Sequence, residues 1–110
     1  MVQQAPEAVL FVDESGVITY GNDLAAALFG CEPGSMAGLR IGKFIPAEFH
    51  DAHRGHRERF FEDGQRRVMG EHRGLDAVRL DGKPIRITGT VSRAMSPGGP
   101  VAVLFARLCP

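Results

Sequence analysis

Apolar and polar positions fall into distinct rhythms along the chain. Ala8-Val9-Leu10-Phe11-Val12 is a continuous apolar run rich in β-branched and aromatic residues, and it stops at Asp13-Glu14-Ser15-Gly16. That pattern predicts a strand entering a hairpin, with Val17-Ile18-Thr19-Tyr20 as the return strand. Gly21-Asn22-Asp23 supplies a helix N-cap with an acid in the first turn, Leu24 to Phe29 is a short helix, and Gly30 closes it. Pro33 to Gly38 is a turn-rich connection, and Ile41 to Ile45 has room for one helical turn. A longer helix starts at Pro46 and ends at Asp63-Gly64. A strand then runs from about residue 73 to 80, Asp81-Gly82 signals a hairpin, and Pro84 to Arg93 alternates Ile85, Ile87, Gly89 and Val91 with polar residues. Ser96 to Pro100 turns the chain into a last strand, Val101 to Leu108. The order predicts an α+β fold: a five-stranded antiparallel sheet with short helices and one longer helix packed on one face.

The longer helix carries the most informative pattern. At about 100° per residue, Phe49, Ala52, His53, His56 and Phe60 fall on one side. Imidazoles on an apolar face need a reason, either a structural hydrogen bond in the core or a ligand that enters it. Arg54, Arg57, Glu58 and Arg59 read as the solvated side of the same helix. His50 stands about 60° or more away from the stripe, so the His-x-x-His-x-x-His spacing predicts no metal site. Among Arg66, Arg67 and Arg73, whose guanidinium groups suit carboxylate or phosphate, Arg73 is the strongest candidate contact. Phe44, Phe49, Phe60, Met69, Leu75 and Val91 serve either as core or as pocket lining, and Gly89 either bends the sheet or leaves space for a guest.

With 110 residues the chain predicts one domain over residues 1–110. Thirteen basic and 13 acidic residues leave no electrostatic footprint for nucleic acid. No apolar run reaches a membrane span of about 20 residues and no signal peptide stands out, so a cytoplasmic location is expected. Cys31 and Cys109 lie far apart, without metal-ligand spacing or a resolving partner, and read as reduced and structural rather than redox-sensing. No nucleophile elbow, phosphate loop or zincin motif occurs, and catalysis is not expected.

Several motifs, in order and spacing, resemble the PAS (Per-Arnt-Sim) family over nearly the full length. They are Val12-Asp13-Glu14-Ser15-Gly16-Val17-Ile18, Tyr20-Gly21-Asn22, Leu28-Phe29-Gly30, Gly38, Ile45-Pro46 and Arg79-Leu80-Asp81-Gly82-Lys83. The resemblance implies a sensory input module, usually a homodimer, excised from a longer signalling protein. Such a module holds a small molecule between sheet and helices and controls an attached effector: a histidine kinase of a two-component system, a cyclic-dinucleotide enzyme or a transcription regulator. It also resembles the haem-binding oxygen sensors in part. Counted from Ile45-Pro46, His53 falls at their axial position and Arg73 at their oxygen-contacting arginine, whereas Gly89 and His56 replace a bulky aliphatic and an aromatic residue. Haem with His53 as axial ligand is therefore one alternative, and a ligand-free dimerisation module is another. Flavin is not implied, because Pro33 to Phe44 lacks the cysteine of the photosensory relatives.

Overall fold

The computed structural model of the chain describes residues 7–69 and 74–109. The first hairpin turns on Asp13. Its Oδ1 accepts the Ser15 hydroxyl at 2.6 Å and the amides of Ser15 and Val17 at 3.0 Å each. These bonds hold the Asp13 carboxyl below the usual carboxylate range, the Ser15 hydroxyl contributing most. On either side lie β1 (Ala8–Asp13) and β2 (Ile18–Gly21), antiparallel neighbours.

The chain then enters α1 (Asp23–Phe29) through Asn22, which is buried. One side-chain oxygen accepts the amides of Ala25, at 2.9 Å, and of Val9, at 3.0 Å. A single residue thereby caps α1 and ties it to β1. Gly30 takes the left-handed conformation that ends the helix. Two 3-10 turns, Ile41–Phe44 and Ala47–Phe49, lead directly into α2 (His50–Asp63), which Gly64 closes in the left-handed region.

The remaining elements are β3 (Arg67–Met69), β4 (Leu75–Val78), β5 (Pro84–Ser96) and β6 (Gly99–Leu108). The sheet runs β2-β1-β6-β5, and the far edge of β5 is taken by β3 and β4 in succession. Met69 pairs with Gly89 and Leu75 with Ile87, so six antiparallel strands fill five positions. The strand expected from about residue 73 is β4. β3 was not anticipated, because three residues are too few to show an alternation. Ser96 pairs with Gly99, leaving only Pro97-Gly98 as the loop, so β5 and β6 each run further toward that turn than their alternation suggested.

The Arg-Leu-Asp-Gly segment joins β4 to β5 and docks on the end of α1. Leu80 donates its amide to the Phe29 carbonyl at 2.8 Å, and the Arg79 guanidinium lies 3.4 and 3.5 Å from the carbonyls of Leu28 and Ala27. A cation there meets the negative end of the helix dipole. The core fills the space between the helices and one sheet face, with Leu10, Ile18, Met36 and Phe44 wholly buried and the Phe29 and Phe44 rings 4.9 Å apart.

Candidate functional site

Of the 14 residues of α2, only Phe60 is buried. The helix is anchored mainly at its ends. His50 Nε2 lies 2.8 and 3.0 Å from the carbonyls of Ile45 and Gly42, and Arg93 of β5 donates to the Phe61 carbonyl at 2.8 Å. That interaction gives His50 a structural use.

Between these anchors the helix stands off the sheet and encloses a cavity of about 770 Å³. Its lining comes from α2, from Phe29 at the end of α1, from both 3-10 turns and from β1, β3, β4, β5 and β6. The predicted stripe faces it whole: Phe49, Ala52, His53, His56 and Phe60 all line the space. Phe44 and Phe60 are buried, while Phe49 and Leu75 are partly exposed at the mouth, and Met69 and Val91 contribute from the sheet.

His53 is half-buried and has no hydrogen-bond partner among the described residues. Burial pushes its imidazole below the ordinary histidine value, and the positive potential of Arg57, then of His56 and His50, adds to that. A neutral ring with two free nitrogens therefore borders the cavity at neutral pH. His56 lines the same space from an exposed position.

Two candidate residues fall elsewhere. Arg73 lies outside the described residues. Gly89 does not line this cavity; it borders a groove of about 490 Å³ on the opposite face of the sheet, beside Thr88, Thr90 and Phe105. A Cβ at position 89 would run into the Phe105 carbonyl of β6, so the glycine serves the close approach of two strands.

Arg57 is the residue that pattern reading missed. It is half-buried rather than solvated, lines the cavity, and rests its guanidinium against Gly16 in the first hairpin, where a Cβ would come within 2.8 Å of Nη1. Its Nε is buried without a hydrogen-bond partner, and no other described side-chain nitrogen or oxygen shares that condition. The signal was present: Arg57 stands four residues from His53, about 40° away on the helix. Arg59, Arg67, Arg86 and Asp76 also line the cavity; Arg67 pairs with Asp63 at 2.7 Å and Arg86 with Asp76 at 3.0 Å.

Comparison with known proteins agrees with this architecture. A 29% identical relative, an uncharacterized protein of Azorhizobium caulinodans, aligns over 108 residues; this is 97% of the chain but only 15% of the relative's length. The PAS domain of nitrogen regulation protein NR(II) from Vibrio parahaemolyticus superposes with a TM-score of 0.77 at 18% identity, covering 97% of this chain and 93% of that one. The PAS domain of the RpfR quorum-sensing receptor from Cronobacter turicensis, solved in complex with BDSF, superposes with a TM-score of 0.69 at 15% identity over the whole of both chains. The family model described as the PAS fold matches residues 1–108, and the chain belongs to the PAS family.

Proposed function

We propose that the chain is a sensory input module that binds a small organic molecule between α2 and the sheet and signals to an attached effector domain. The observation that carries this reading is the apolar cavity beneath α2, bordered by the His53 imidazole and by Arg57, whose buried Nε, like that imidazole, has no hydrogen-bond partner among the described residues. A core kept only for stability would close over such groups or satisfy them. The relative's much greater length supports a module within a longer signalling protein, and the solved PAS domain in complex with BDSF supports a ligand-holding role. Signalling then follows population shift: a guest favours one position of α2, and the sheet carries the difference to effector and homodimer contacts.

A thermal-shift screen of small organic molecules on the 110-residue chain tests the reading. A ligand raises the melting temperature of the native protein. Val91→Phe, which fills the cavity from β5, keeps the melting temperature of the free protein and abolishes that rise. A rise that persists in Val91→Phe, or a screen without any ligand, overturns the reading.

A second reading rests on the unbonded imidazole of His53, whose neutral ring facing apolar walls suits an axial haem ligand. Haem would supply gas binding, with His53 holding the iron. Gly89 and His56 stand where the haem sensors that the chain resembles carry a bulky aliphatic and an aromatic residue, which favours the first reading. A Soret band on haem addition that His53→Ala removes would decide for haem.

A further inference from the structure

The charges around the cavity do not balance. Among the described residues the lining presents Arg57 and Arg59 from α2, Arg67 from β3 and Arg86 from β5, with His53 and His56, against the single carboxylate of Asp76. Arg86 occupies Asp76, and Arg67 is engaged by Asp63 outside the lining. Among the described residues no acceptor is left for Arg57, whose Nε is already removed from water. A buried guanidinium donor without an acceptor is costly, and a carboxylate is the planar group it takes best.

The rest of the lining limits what can carry that carboxylate. Five of the seven phenylalanines of the chain face the cavity: Phe29, Phe44, Phe49, Phe60 and Phe61. Phe29 and Phe44 meet at 49°, Phe60 and Phe61 at 80°, and tilted pairs of this kind present both edges and faces to a further ring. A dianion would have to be desolvated among these rings, which disfavours phosphates and dicarboxylates. The volume suits a body of one or two fused rings.

We infer, building on the small-molecule reading above, that the guest is an aromatic monocarboxylate whose head group is taken by Arg57 and whose ring lies among the phenylalanines. The Gly16 turn gives the guanidinium its seat, because any side chain there would displace it. His53, one helical turn away, offers a neutral ring nitrogen to the second carboxylate oxygen or to a ring substituent.

Calorimetric titration of the 110-residue chain with 2-naphthoate and its neutral analogue 2-naphthalenemethanol tests the assignment. The acid binds about tenfold tighter than the alcohol, as one charge-assisted bidentate contact gives. Arg57→Gln brings the acid to the affinity of the alcohol and leaves the alcohol unchanged, which also reports an intact fold. Arg57→Lys retains part of the preference, and Arg54→Gln, on the exposed side of α2 and outside the lining, retains it all. An alcohol that binds as well as the acid, a preference that survives Arg57→Gln, or one lost in Arg54→Gln overturns the head-group assignment. Decanoate binding as tightly as 2-naphthoate overturns the aromatic one. If the thermal screen finds ligands and neither naphthalene compound binds, this inference fails alone; if the screen also finds none, the sensor reading fails with it.

Discussion

The two helices of this domain are held in opposite ways. α1 is short, yet Ala25, Ala26 and Phe29 are buried, its first turn is capped by Asn22 and its last carbonyls are met by Leu80 and Arg79. α2 is twice as long, buries Phe60 alone, and borders open space along the stripe that should pack. Burial and satisfied polar groups make α1 part of the scaffold with the sheet, whereas few buried contacts place α2 at the low end of local stability. A ligand-responsive element has to be drawn from that end.

The largest test of this contrast is Asn22→Ala. It removes a helix cap and orphans the buried Val9 amide, and should cost about 2–3 kcal/mol of global stability in urea denaturation. A loss below about 1 kcal/mol would mean that α1 is no better held than α2. Arg79→Ala comes next, at about 1 kcal/mol, since its bonds to the helix carbonyls are long and its side chain is partly exposed. Phe49→Ala belongs at the small end. The ring sits at the cavity mouth, and its removal should change stability by less than about 1 kcal/mol while weakening any ligand found by thermal shift.

The scaffold was the more legible half because its joints are punctuation that sequence displays: Asn22 before α1, Gly30 after it, Asp81-Gly82 between β4 and β5. The helical stripe from Phe49 to Phe60 was equally legible, since a period of 3.6 residues survives whether the face meets core or cavity. Arg57 escaped because a charged residue reads by default as solvated, and only coordinates show it folded back over Gly16. Gly89 misled in the other direction. Alternation along β5 puts it with Ile87 and Val91, but the direction a Cβ would take leads into the neighbouring backbone at Phe105. The divided edge, β3 then β4, depends on pairing with β5, which neither segment encodes alone.

The finest distinction between the two regions is their response to acid. Asp13, in the scaffold, has its carboxyl held low, so its contribution is complete above the unfolded value of 3.8 and is lost only as the pH falls below it. His53, in the α2 wall, has its imidazole held below 6.5 by burial, with Arg57, His56 and His50 adding positive potential from the same helix. Arg67, Arg86 and the Arg86-bound Asp76 border the same space from the strands. Below pH 6.5 the unfolded chain takes up the His53 proton before the folded one does, so unfolding free energy declines as the pH falls from 6.5 toward the folded value and is level above 6.5. His53→Leu removes that slope. It should gain less than about 1 kcal/mol at pH 7 and show a larger advantage over the native chain at pH 5.5, read from paired urea curves. An advantage that stays constant between the two pH values would mean that the ring is solvated when α2 fluctuates, and the cavity wall would then be looser than its anchors at His50 and Arg93 require.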